Sequence, residues 1–179
     1  MPRFILWSFD LGSTMGVAMG DAGAGGNVLP ASRSVKFQGH QGHGLMRFLQ
    51  TEFKREKPTL IFKEAPLTSE AMRAVGMSDK SRRTTIGVHY VLESFCEWYG
   101  VPWKEETNQT VRKHFIGVGK LGTREETNRA VIARAQLVGY MPRDVFDWDR
   151  ANACAGWDYA RAHFAKVPPE VLHLFGEKT

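Results

Sequence analysis

An α/β fold, with one sheet layered by helices, is predicted for this chain by three observations. Short apolar runs of strand length alternate with longer stretches in which apolar residues recur at helical spacing. Two of the strand runs stop abruptly at a carboxylate, Phe4-Ile5-Leu6-Trp7-Ser8-Phe9 at Asp10 and Leu60-Ile61-Phe62-Lys63 at Glu64. The chain has 179 residues, 42% hydrophobic and 24% charged, which suits one globular domain with a full core. No internal repeat is present.

The first apolar run reads as a central strand that doubles back through Asp10-Leu11-Gly12-Ser13-Thr14-Met15-Gly16. Residues 16–20 form a second strand and 33–38 a third, joined by the Gly-rich segment 21–31, so the first three strands make a meander. Residues 39–44 read as a loop. Its His40 and His43 are poor metal ligands, because glycines beside them leave nothing to hold the rings. Leu45, Phe48, Leu49 and Phe53 give a helical stripe ending near Lys57, and Pro58 separates it from the strand 59–64. A helix over 83–99 follows from Ile86, Val88, Tyr90, Val91, Phe95 and Trp98, with Gly100 as its stop. Residues 101–105 make a short strand, and 108–115 and 123–138 two helices around a Gly-rich turn at 117–122. A last helix starts near Asp149; its Ala151, Ala153, Ala155 and Gly156 allow close approach to the sheet.

Composition narrows the function. A formal charge of +5 favours a polyanionic partner such as nucleic acid. The positive residues cluster as Arg73, Lys80, Arg82 and Arg83, and as Arg112, Lys113, Lys120 and Arg124. Each cluster is either a solvated face or a phosphate-binding one. No stretch approaches the roughly 20 apolar residues of a membrane span. Asp10 interrupts the only apolar N-terminal run, which makes a poor signal peptide and points to a cytoplasmic protein. Cys96 and Cys154 lack ligand-like spacing and read as reduced core thiols.

The acids carry the chemistry. A carboxylate at the end of a buried strand is costly unless a cation pairs with it, although Asp10 beside glycine also suits a side-chain turn cap. Asp149 and Asn152 lie three apart and share a helix face, while Asp147 or Asp149 is a natural N-cap. If Asp10, Glu64 and Asp149 converge, their repulsion calls for a divalent cation. Oxygen-only ligands suit Mg²⁺, with Mn²⁺ as substitute. Two such ions about 4 Å apart support phosphodiester hydrolysis.

These pieces, Asp10-Leu11-Gly12-Ser13 with Gly16, the strand ending in Glu64, Val111-Arg112 before Gly117-Val118-Gly119, and Asp149-Arg150-Ala151-Asn152-Ala153-Cys154-Ala155, resemble the RuvC-like Holliday-junction resolvases of the ribonuclease H-like superfamily, especially compact phage and bacterial members. The resemblance implies a five-stranded mixed sheet flanked by helices, in a nuclease domain over 1–166 with a tail at 167–179. It implies a four-residue metal site for two Mg²⁺ ions, with Asp10, Glu64 and Asp149 at three positions and Asn152, which carries no charge, at the fourth; Asp147 is the alternative fourth carboxylate. It implies that Arg112 and Arg124 face the scissile strand, and that Leu67 stands where relatives carry an aromatic residue probing the junction centre. The implied enzyme is a structure-specific endonuclease on branched, four-way DNA, working as a homodimer, with the helix 83–99 as candidate interface. The turn at Asp10 also resembles the first phosphate loop of the sugar-kinase, actin and Hsp70 superfamily, but a second lobe is lacking. Another ribonuclease H-like nuclease, or a silent junction-binding module favoured by Asn152, are the other readings.

Overall fold

The computed structural model describes residues 3–23, 29–37 and 40–165. The tail expected at 167–179 lies outside the described residues, as does much of the Gly-rich link between the second and third strands. Five strands, β1 (Ile5–Asp10), β2 (Met15–Asp21), β3 (Ala31–Val35), β4 (Leu60–Glu64) and β5 (Trp103–Glu106), form one sheet in the order β3-β2-β1-β4-β5. β1 pairs antiparallel with β2 and parallel with β4; β2 pairs antiparallel with β3, and β4 parallel with β5. The sheet is therefore mixed, with a meander on one side and parallel pairs on the other.

The helices are α1 (Gln41–Arg55), α2 (Ser69–Ala74), α3 (Asp79–Tyr99), α4 (Asn108–Ile116), α5 (Arg124–Leu137) and α6 (Trp148–Phe164). β1 is buried on both faces, which is why it reads as an unbroken apolar run. Its alternation divides the core. Ile5, Trp7 and Phe9 join Leu45 and Leu49 of α1 and Leu92 and Phe95 of α3. Leu6 packs with Phe62, Val111, Val131 and Trp157, on the face covered by α4, α5 and α6. The fully buried Trp157 and the small residues around it seat α6 on the sheet; a Cβ at Gly156 would lie 2.6 Å from Ser8 Oγ. Both cysteines are free, buried thiols, each pushed up to about 12 by burial.

Four elements differ from the expectation. Residues 41–44, read as loop, are the first turn of α1: Gly44 is required there because a Cβ would meet the Phe37 ring at 2.6 Å. The helix expected over 83–99 starts a turn earlier, at Asp79, where the Ser78 side chain accepts a hydrogen bond from Ser81 N. Helix α2 was not anticipated; Thr68 caps it and Met72 is its buried residue, too little apolar surface for a periodic signal. The third strand also sits earlier than expected, at Ala31–Val35.

Candidate active site

Strand alternation decides which way the acids face. Asp10 follows Leu6 and Ser8 by even steps, and Glu64 follows Leu60 and Phe62, so both belong to the face covered by α4 and α6. β1 and β4 are parallel neighbours with Phe9 opposite Lys63, which brings the two acids together at the carboxyl edge of the sheet. Lys63, one residue out of phase, points to the other face. There it is wholly buried, ion-paired to Glu93 at 3.1 Å and to Glu105, and 3.4 Å from His89 Nδ1.

Helix α6 brings the third acid. Its N-cap, Asp147, accepts hydrogen bonds from Arg150 N at 3.0 Å and from Ser34 Oγ at 2.7 Å. This capping puts Asp149 in the first turn and lets Asn152 Nδ2 donate to Asp10 Oδ2 at 3.1 Å. Gly16, the strand partner of Asp10, lies directly under the Asp149 backbone.

These groups line a cleft of ≈ 590 Å³. Asp10, Glu64, Asp149 and Asn152 meet in it, as the sequence suggested, together with Arg112, Arg124, Lys80 and Leu67. Asp147 does not line it; its carboxylate is occupied by the cap and by Ser34. Arg73, Arg83, Lys113 and Lys120 are exposed outside the cleft wall, and Arg82 is ion-paired to Asp79 and donates to Met77 O at 2.9 Å. Sequence reasoning missed Asn108, Asn128, His89 and Trp148, which also line the cleft. Asn108 had a usable signal, the Thr107 cap that starts α4 one residue beyond Glu106. Asn128 had none, since an amide inside a helix announces nothing until a partner is known.

The electrostatics are those of acids short of counter-charge. Burial, then the Glu64 charge, holds the Asp10 carboxyl well above its ordinary value, with Asp149 adding to the effect and Asn152 and Arg112 opposing it. Glu64 is raised by burial against a hydrogen bond from Asn108 and the Arg112 charge. Asp149 is raised by burial and then by Asp147, against Arg124. Arg112, itself lowered by burial, donates from Nη2 to Asn128 Oδ1 at 3.2 Å, and its buried Nε has no hydrogen-bond partner among the described residues. His89 is pushed down to about 4 by burial and the Lys63 ammonium, so it is neutral at physiological pH. The donor set fits a hard divalent cation: oxygen ligands only, buried, and with excess negative charge. Among the described residues no group of three or more His, Cys, Asp or Glu side chains is arranged to hold an ion as it stands, and Asn152 presents its amide nitrogen to Asp10.

Sheet order, strand senses and the acids at the carboxyl edge define a ribonuclease H-like fold of the RuvC type. Comparison with solved structures agrees. Thermus thermophilus RuvC superposes with a TM-score of 0.64 at 12% identity, over 86% of this chain and 91% of that one. Fowlpox virus resolvase, in complex with substrate Holliday junction DNA, matches with a TM-score of 0.58 at 12% identity over 88% and 97%. The yeast mitochondrial Holliday junction resolvase Ydc2 matches with a TM-score of 0.56 at 12% identity over 92% and 83%. No protein-family model matches the sequence, and no curated protein matches it.

Proposed function

We propose that this chain is a metal-dependent endonuclease that resolves Holliday junctions and other branched DNA by hydrolysis. The observation that carries the reading is the convergence of Asp10, Glu64 and Asp149, each with a raised carboxyl pKa, in one cleft walled by Arg112, Arg124 and Lys80. That the fold is shared with three junction resolvases supports the choice of substrate.

Asp10, Glu64 and Asp149 would hold Mg²⁺, or Mn²⁺ in its place, with Asn152 turning its amide oxygen inward as the fourth ligand. Bound as a pair, such ions supply activation of the attacking water and charge stabilisation at the leaving oxygen. The chain's own residues do the rest. Asn108 orients Glu64 through its side-chain hydrogen bond, and Asn128 fixes Arg112. Arg112, with an unused buried Nε, and the exposed Arg124 bind the phosphates flanking the cut. Leu67, 51% exposed on the cleft wall, is an apolar wedge that opens stacked bases at the branch.

Two symmetric cuts in a four-way junction need two sites, so the working unit is a two-fold homodimer. Helix α3 offers the surface: Tyr90 and Trp98, two turns apart, are 65% and 84% exposed with the exposed Ser94 between them. Trp98→Arg should therefore shift sedimentation toward a monomer. Among the described residues no helix is long and apolar enough to cross a membrane.

The deciding experiment is cleavage of labelled four-way junction, flap, linear duplex and RNA–DNA hybrid by the purified chain in Mg²⁺, Mn²⁺ or EDTA. Paired, metal-dependent nicks in the junction support the proposal. Cutting of hybrid or free ends instead replaces it with another ribonuclease H-like nuclease, and tight junction binding without a cut in any metal replaces it with a binding module.

A further inference from the structure

Trp148 is the first residue of α6, immediately before Asp149, and it is 46% exposed although it lines the cleft that holds the acids. Leaving half an indole in water forfeits much of the stabilisation its burial would bring. Its position is nonetheless fixed: the Asp147 cap, tied to Ser34 and to Arg150 N, anchors the helix turn that carries it. Apart from the buried His89, it is the one aromatic residue lining the cleft among the described residues. Phe146, two residues earlier and 79% exposed, does not line it.

The division of polar and apolar groups says what the indole meets. Arg112, Arg124 and Lys80 supply the positive charge of the walls, and these take phosphates. Among the described residues, the two large exposed apolar groups lining the cleft are Leu67, after β4, and Trp148, at the start of α6. With the cations there to take phosphates, the flat apolar face of the indole is suited to a base face. Within an intact duplex both faces of every base are already stacked; only an unstacked base has a face to give.

We propose that Trp148 is a specificity-determining residue: a stacking platform for a base freed from its stack beside the scissile phosphate. The assignment rests on the branched-DNA reading and adds to it a cause of selectivity, since duplex cannot use the platform without being opened. Stacking on an aromatic ring tolerates any base, so the platform selects for an open strand and not for a sequence.

The test uses the full chain without divalent metal, so that nothing is cut. A four-way junction, a duplex and a gapped duplex each carry 2-aminopurine, at the branch point, mid-duplex and opposite the gap. Wild type, Trp148→Ala, Trp148→Phe and Phe146→Ala are titrated, and both affinity and 2-aminopurine emission are read. The expectation is that wild type and Trp148→Phe alter emission at the branch and at the gap. Trp148→Ala should bind the junction roughly fivefold to a hundredfold more weakly, the range expected for loss of one stacked base. It should bind duplex as wild type does and leave emission as in free DNA, and Phe146→Ala should behave as wild type. Retention of the wild-type emission change and affinity by Trp148→Ala overturns the proposal. Equal weakening on duplex, or no recovery in Trp148→Phe, also overturns it by marking a structural role. If wild type does not prefer junction to duplex, the branched-DNA reading fails, while the gapped substrate still decides whether Trp148 stacks on a base.

Discussion

Gly16 presents its bare Cα to the backbone of Asp149: a Cβ on Gly16 would lie 1.8 Å from the Asp149 carbonyl oxygen and 2.3 Å from its carbonyl carbon. Gly16 is also the strand partner of Asp10. The missing side chain therefore sets how closely α6 approaches β1 and β2, and with it the spacing of two of the three acids.

Gly16→Ala should separate these acids. Neither colliding atom belongs to a flexible side chain, so α6 has to move, at a cost of about 1–3 kcal/mol for overpacking. Denaturant unfolding should register that loss, while metal-dependent cleavage falls at least tenfold. Full cleavage in Gly16→Ala would show that the spacing tolerates displacement.

The three raised carboxyl groups make stability depend on pH in a defined direction. An acid whose folded pKa lies above its unfolded value favours folding most when protonated. That advantage is complete below the ordinary values of 3.8 for Asp10 and 4.5 for Glu64, and is lost as pH rises through the raised folded values. In chelator, the Tm of wild type should therefore drop relative to that of Asp10→Asn as pH rises from 4 to neutrality, so that the variant gains the advantage. At neutral pH, Mg²⁺ should raise Tm in wild type and much less in Asp10→Asn, by up to about 2.7 kcal/mol of stability at a hundredfold excess over Kd. A wild-type Tm that rises relative to the variant with increasing pH would contradict the assigned electrostatics.

Asn152 and Asp147 are separable by opposite substitutions. Asn152→Asp replaces the amide that donates to Asp10 with another acid, so it should destabilise the metal-free protein yet increase metal affinity and cleavage. Asp147→Asn keeps an N-cap acceptor and should leave metal dependence unchanged, whereas Asp147→Ala should cost about 1 kcal/mol as the cap is lost. Loss of metal dependence in Asp147→Asn, without any gain in Asn152→Asp, would return Asp147 to the ligand set.

Phosphate contacts are read from salt dependence. Arg124→Ala removes a cation that lines the cleft, and should weaken junction binding while lowering the slope of log K against log salt by about 1. Arg82→Ala removes a guanidinium already held by Asp79 and Met77, and should leave that slope unaltered. Equal effects from both would place the DNA along α3 and not in the cleft.

Much of the site was legible because its acids end strands. Asp10 and Glu64 stand out against apolar runs buried on both faces, and Asp149 and Asn152 share a face at a helix start. The first turn of α1, the whole of α2 and the first turn of α3 were not legible, because glycines and polar residues there bury too little to leave a period. Asn108, Asn128, His89 and Trp148 escaped for a related reason: a lone amide, imidazole or indole has no distinguishing neighbour in sequence.

Local pattern was enough to mark the carboxylates that close β1 and β4, since an apolar run that stops at an acid is a local property. It took the packed core to carry Arg124 on α5 into the cleft wall while Lys120 stays outside, to turn Asp147 to Ser34 instead of the cleft, and to lay Gly16 beneath Asp149. Those outcomes depend on how α4, α5 and α6 pack across the sheet, and packing between residues more than a hundred positions apart is set by the shape of the whole core, which no local pattern encodes.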